Sequence, residues 1–207
     1  MGVNVAVRTV QSSHEMLAAQ ELLAHMFPHH PGAALDSDRA VRYRALYPDQ
    51  ADMMAVAVTE AGEAVGIALA SQECTGARVI LRGLGVHPSV RGHGVASRLL
   101  ALVEQGAIRR HAPGVTLGSV DDAVGFYLRM GYKAVLLVQF VAADASAEEA
   151  VTAALAGPLA GYACLRRSYN GIPQLFVQVG TVDMDFMRRV EQEVPSVSVG
   201  WVTGKDF

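Results

Sequence analysis

The stretch that decides the fold is residues 84–100, which read LGVHPSVRGHGVASRLL. Aliphatic residues lead into it from residue 79, so the pattern predicts a strand, then a glycine-bearing turn that opens directly into a helix. Such a turn gathers unpaired backbone N–H groups at the positive end of a helix dipole, an arrangement that suits a pyrophosphate. Gly92 and Gly94 allow unusual backbone dihedrals and a close approach to the anion, and Arg91 adds charge.

Other glycine-rich phosphate motifs match this stretch poorly. A Walker loop ends in Gly-Lys-Ser/Thr, which is absent, and a dinucleotide fingerprint needs a glycine at position 97, where the chain has Ser97. The glycines by themselves are equally consistent with a plain strand-to-helix connection, because a short glycine motif is a weak signal.

Outward from this loop, the hydrophobic pattern predicts alternating strands and helices. A capping box at Ser12 and Glu15, in which each satisfies the other's backbone N–H, starts the first helix, and Pro48 stops the second. The strands are predicted at 3–10, 53–59, 64–71, 79–86, 115–119 and 132–140, and the helices at 12–26, 37–47, 95–110 and 122–130.

The last third of the chain predicts a helix followed by a β-β-α-β arrangement. A second capping box at Ser146 starts the helix, Asn170 and Gly171 form the best hairpin signal in the chain, and Thr181 can cap a helix that runs to residue 193. A final strand is predicted at 196–203.

A second motif lies one strand beyond the glycine loop, at residues 123–132, which read AVGFYLRMGY. Together with Arg91, Gly94 and Ala96 of the loop, it resembles the GNAT superfamily of acyl-CoA N-acyltransferases. The resemblance implies an α/β (α+β) fold with a mixed, mostly antiparallel central sheet flanked by helices, here with the C-terminal helix plus β-β-α-β extension. Residues 1–141 would be the acyltransferase core and residues 142–207 an extension packed on that core or at a dimer interface.

The resemblance also implies a site for acetyl-CoA or another acyl-CoA. The strand backbone at 84–86 would pair with the pantetheine amides, the N–H groups of 92–97 would hold the pyrophosphate, and backbone N–H in a bulged strand would polarise the thioester carbonyl. Tyr127 would protonate the departing thiolate, although a core aromatic is its alternative role. The residues assigned to the cofactor are Leu84, Gly85, Val86, Arg91, Gly92, His93, Gly94, Val95, Ala96, Ser97 and Tyr127.

The general base is less well defined. The family often has an Asn where this chain has Val120, and many members have a Glu on a central strand, whereas residues 115–119 contain no acid. The amine must lose a proton before it attacks, so a base is required. The candidates are Glu73, His87, Asp121, Asp122 and water, and Asp122 is equally a candidate helix cap.

Composition excludes several classes of protein. The 207 residues are 51% hydrophobic and 18% charged, which excludes a disordered chain, and the net charge of −3 argues against a nucleic-acid partner.

Cys74 and Cys164 form no metal-ligand spacing and are expected to be buried. No metal site is expected, and His29 and His30 are expected to lie in a solvent-exposed loop. No membrane span or secretory signal is visible, so a cytoplasmic protein is expected.

These observations predict an acetyl-CoA-dependent N-acetyltransferase that acts on the primary amine of a small molecule. The alternatives are a catalytically weak CoA-binding sensor or scaffold and an acetyltransferase for protein N-termini or lysine side chains. The strand at 196–203 is expected to be exposed, and its pairing across chains would form a homodimer.

Overall fold

The computed structural model describes residues 4–28, 34–141, 145–169, 171–194 and 196–207. It confirms the predicted order of elements, including the C-terminal helix and β-β-α-β arrangement. The elements are β1 Val5–Thr9, α1 Ser13–Met26, α2 Asp38–Gln50, β2 Met54–Thr59, β3 Ala64–Gln72, β4 Val79–Val86, α3 Val95–Arg109, β5 Gly114–Ser119, α4 Asp121–Arg129, β6 Lys133–Phe140, α5 Ala145–Leu155, β7 Ala163–Tyr169, β8 Ile172–Gln178, α6 Met184–Glu193 and β9 Val197–Asp206.

The chain divides into two compact units, which we call unit 1 (residues 1–116 with 206–207) and unit 2 (residues 117–205). In unit 1 the strands follow the order β1, β2, β3, β4, β5. Neighbouring strands are antiparallel except for the parallel pair of β4 and β5. In unit 2 the order is β9, β6, β8, β7, and every pair is antiparallel. The predicted α/β fold with a mostly antiparallel sheet is therefore confirmed.

Helices cover both faces of the unit 1 strands. Met16, Ala19 and Leu23 of α1 pack with Val56, Ile67 and other apolar residues of β2 and β3 on one face. On the other face α3 contacts β2, β3 and β4, and there Val95 and Leu99 lie against Gly66. These two helices position the ends of β4, the strand that leads into the glycine loop.

Two details of the helix ends predicted in unit 1 differ from those observed. Ser12 accepts a hydrogen bond from the Glu15 N–H at 3.1 Å, but the Glu15 carboxylate accepts from the Gln11 N–H and binds Arg8 instead of returning to Ser12. Helix α2 continues through Pro48 to Gln50. Pro48 removes one backbone donor in the last turn, where the helix is about to end. The Gln50 side chain then bonds both backbone groups of Gln72 in β3, which holds the end of α2 in place.

The core of unit 2 lies between its strands and α5 and α6. Leu136 and Val138 of β6, Val177 of β8 and Trp201 of β9 are buried there, and Phe186 of α6 packs against the same cluster. Asp183, and not the predicted Thr181, caps α6 by accepting from the Phe186 N–H at 2.9 Å. Asn170 and the Ser146 side chain lie outside the described part of the chain.

Strand β9 pairs with β6 along eight positions, from Lys133 opposite Gly204 to Phe140 opposite Val197. The strand predicted at 196–203 is confirmed. Trp201 and Thr203 of β9 are buried, so the expectation that this strand is exposed is wrong. The exposed strand of unit 2 is β7, all of whose residues are exposed. The predicted domain boundary after residue 141 and the homodimer stay predictions. No described helix is both long and apolar enough to cross a lipid bilayer.

Candidate active site

The glycine turn between β4 and α3 has the geometry of an anion cradle. Gly92 and Gly94 have φ angles of +79° and +71°, a left-handed conformation that favours glycine. Gly94 is the N-cap of α3 and provides no side-chain acceptor for the helix's first N–H groups. A Cβ placed on either glycine would have no neighbour within 4 Å, so the space beside the turn is open. The donors and the space fit a pyrophosphate at this position.

Hydrogen bonds within the loop hold the turn in shape. The Arg91 Nε donates to the carbonyl of Val86 at 2.9 Å, which ties the turn to the end of β4. His93 donates from Nδ1 to the carbonyl of Arg91 at 2.9 Å, and the His87 ring accepts from the Ser89 N–H. Arg91 therefore has a positioning role in addition to the charge expected from the sequence.

Among the described residues of unit 1, one edge of β4 is unpaired beyond Ile80. Its pairing with β5 consists of Val79 opposite Val115 and Ile80 opposite Thr116. A bulge at Arg82 then shifts the register against β3, and residues 83–86 pair with β3 alone among the described residues of unit 1. The edge of β4 that runs back from the glycine turn is therefore available for an added strand-like partner.

Gly83 and Gly85 of β4 make room for helix α1. A Cβ on Gly83 would lie 2.8 Å from Cδ2 of Leu23, and one on Gly85 would overlap the methyl group of Met26 and lie 3.1 Å from Phe27. Two glycines two residues apart in a strand are the signal for this close approach, because they share one face. The sequence alone assigned Gly85 to backbone pairing and missed its packing role.

Tyr127 lies in unit 2, where it is only 5% exposed. Burial raises the pKa of its phenol to about 12. The Tyr132 N–H donates to the Tyr127 carbonyl, and the Gly131 N–H, at φ +84°, donates to Leu128, both at 3.0 Å. This pair of bonds is a Schellman helix end, and it explains why the motif places Gly131 and Tyr132 four and five residues after Tyr127.

The side chains considered as bases have different local surroundings. The Glu73 carboxylate lies 3.4 Å from the Arg82 guanidinium, and His87 is bonded to Ser89. Asp121 and Asp122 occupy the exposed first turn of α4, whose N-cap is Val120, so Asp122 does not cap that helix. His29 and His30 lie outside the described residues. In the described part of the chain no three metal-binding side chains cluster.

The sequence predicts that both cysteines are buried, and this prediction is wrong. Cys74 lies in the loop between β3 and β4, and Cys164 lies in β7, which has no strand on its outer side. Both side chains are exposed because neither position faces a packed core.

Several solved structures share this fold. Ard1 from Thermoplasma volcanium is 14% identical and has a TM-score of 0.52, and the match covers 87% of this chain and 100% of that one. Naa50 from Arabidopsis thaliana, solved with the bisubstrate analogue CoA-Ac-MVNAL, is 18% identical with a TM-score of 0.52, over 86% and 99% of the two chains. Rv2747 from Mycobacterium tuberculosis, solved with CoA and NLQ, is 12% identical with a TM-score of 0.52, over 98% and 99%.

The family model for the acetyltransferase (GNAT) domain matches residues 34–146. That range is more than half of the chain, and it contains both the glycine turn and the motif around Tyr127. The protein therefore belongs to the GNAT acetyltransferase family and is an acyl-CoA N-acyltransferase that uses an acyl-CoA as its acyl donor.

Proposed function

We propose that the protein transfers an acetyl group from acetyl-CoA to the primary amine of a small molecule by direct attack of the amine on the thioester. The observation that carries the proposal is the continuity in unit 1 between the open edge of β4 and the glycine turn that caps α3. The donor supplies an acyl group activated as a thioester. The chain's residues then bind and orient the donor, donate a proton to the departing thiolate and remove one from the amine.

The binding roles follow from the backbone of unit 1. N–H groups of residues 92–97 are suited to the pyrophosphate, since the left-handed turn at Gly92 and Gly94 leaves them without side-chain acceptors. Leu84, Gly85 and Val86 offer strand edge groups to the pantetheine amides. The bulge at Arg82 supports an oxyanion role for nearby backbone N–H groups, as bulges re-aim backbone donors.

We assign proton donation to Tyr127. A phenol with a pKa near 12 is protonated at neutral pH, so it can give a proton to the departing thiolate and cannot act as the base for the amine. The candidates for the base that deprotonates the amine are Glu73, His87, Asp121, Asp122 and water.

Two alternatives to acetylation of a small amine have support. Naa50 was solved with a peptide-derived bisubstrate analogue, so a peptide N-terminus is the second candidate acceptor. A CoA-binding sensor without turnover is a third possibility, because β5 contains no acidic residue.

Thiol release from acetyl-CoA should be measured across a panel of small amines and peptides, together with CoA binding. We expect turnover with a small amine, and a loss of roughly 100-fold in kcat for Tyr127→Phe if the phenol is the acid. Tyr132→Phe is the matched control, a neighbouring buried tyrosine outside the proposed machinery, and should stay within about twofold. Turnover with peptides alone would replace the acceptor assignment, and tight CoA binding with no turnover would favour the sensor.

A further inference from the structure

We propose that Arg82 is the subsite for a carboxylate of the acceptor, so that the acceptor is an amine that also carries a carboxylate, as α-amino acids do. This inference rests on the proposed function, because it takes the acyl donor to lie along the open edge of β4. It adds a specificity-determining residue and a substrate class to that site.

The position of Arg82 along β4 supports this assignment. Pairing of β4 with β5 ends at Ile80 and Thr116, so the open edge begins at Leu81 and Arg82. A pantetheine arm that extends from the glycine turn along Val86 to Leu84 would therefore place its thioester at the bulge. Two residues of strand separate Leu84 from Arg82, about 7 Å at roughly 3.3 Å per residue.

In the described residues the guanidinium of Arg82 is anchored through its Nε, and one Nη group makes a long contact with Glu73. The Arg82 Nε donates to the hydroxyl of Ser71 at 3.2 Å, and Ser71 is 4% exposed, so the anchor is held firmly. Ser71 follows Ile67 and Leu69 at two-residue spacing, which places it on the sheet face covered by α1 and α2. With Nε engaged, the two Nη groups form the end of the fork that binds a carboxylate in bidentate geometry.

The present partner of that fork is easily replaced. Nη2 of Arg82 lies 3.4 Å from Oε1 of Glu73, and the side chains of Arg82 and Glu73 are 25% and 63% exposed. A long, exposed ion pair of this kind contributes little to stability, so a ligand carboxylate can take the place of Glu73. The Glu73 carboxylate thus lies where the carboxylate of an acceptor would bind Arg82.

The test uses the full-length protein and pairs of acceptors that differ only in the carboxylate: free α-amino acids and their carboxamides. For Arg82→Gln we expect the KM of the amino acid to rise at least about tenfold, since a charged hydrogen bond is lost. The KM of the carboxamide and of acetyl-CoA should change by less than about twofold. Arg82→Lys should recover part of the loss, because it keeps the charge but not the fork.

Arg78→Gln is the matched control. Arg78 stands one residue before β4 and pairs with Asp206 at 2.6 Å, away from the bulge, so its replacement should leave both KM values unchanged. A rise in KM that is equal for the acid and the amide, or a fall in Tm without a change in KM, would show that Arg82 only stabilises the bulge and would overturn the inference.

A binding experiment separates this inference from the proposed function. The CoA-saturated protein is titrated calorimetrically with N-acetyl-α-amino acids and with their carboxamides. Preferential binding of the carboxylate form that Arg82→Gln abolishes supports the subsite even if no amine is turned over. Equal binding of the two forms, or no binding of either, overturns the subsite and leaves the acetyl-transfer proposal to its own test.

Discussion

The backbone N–H of Tyr132 donates to the carbonyl of Tyr127 at 3.0 Å, and the two rings meet edge to face with their centroids 5.7 Å apart. The left-handed Gly131 between them makes both contacts possible. One glycine therefore fixes the orientation of the proposed proton donor relative to β6, which begins at Lys133.

Gly131→Ala should destabilise the protein by about 1 kcal/mol, because an L side chain is strained at positive φ. Gly125→Ala, in the interior of the same helix, should instead stabilise it by about 0.5–1 kcal/mol. The added Cβ there meets the Arg129 side chain at an ordinary 3.5 Å. Chemical denaturation of both variants measures the difference, and equal effects of the two substitutions would contradict the role of Gly131.

Gly94→Ala should weaken CoA binding by roughly tenfold. An L side chain in the left-handed conformation costs about 1–2 kcal/mol, and this strain disfavours the turn that binds CoA. Crowding is not the cause, since nothing lies within 4 Å of the added Cβ. Gly94→Asn should lose less affinity, because Asn tolerates the left-handed region better. Calorimetric titration with CoA compares the two variants, and an Ala variant that binds as the wild type does would exclude a rigid cradle.

Gly85→Ala should destabilise the protein by about 1–3 kcal/mol, because its Cβ would overlap the side chain of Met26. Shortening that side chain should relieve the overlap, so the effects of Gly85→Ala and Met26→Ala should be less than additive in the double variant. A double-mutant cycle of unfolding free energies checks this. Strict additivity would mean that α1 does not press on β4 at this point.

The raised pKa of Tyr127 predicts a dependence of stability on pH. The unfolded phenol ionises near pH 10 and the folded one near 12, so the folded state holds its proton longer as the pH rises. Stability should therefore be unaffected below pH 10 and should fall by up to about 1.4 kcal/mol per pH unit between pH 10 and 12. Tyr127→Phe should remove this component, and an unchanged slope in the variant would exclude burial as the cause.

Local patterns predicted much of this fold. Glycines, proline, caps and hydrophobic periodicity act within a few residues, so the element order and the glycine turn followed from the sequence. The features that the sequence did not predict depend on contacts between residues that are distant in the chain. Strand β9 is not exposed at 196–203 because it pairs with β6. Cys164 is exposed because of the position of β7. The bulge at Arg82 arises from register against β3, which no local signal in β4 reveals.

The activity proposed for this protein is acetyl transfer to a small amine. Its most direct test is incubation of the full-length protein with acetyl-CoA and single small amines, with the N-acetylated product identified by mass spectrometry and free CoA thiol quantified in the same sample. We expect equal amounts of N-acetyl product and thiol for at least one carboxylate-bearing amine, both sharply reduced in Tyr127→Phe and retained in Tyr132→Phe. Tight CoA binding without product from any small amine would contradict it.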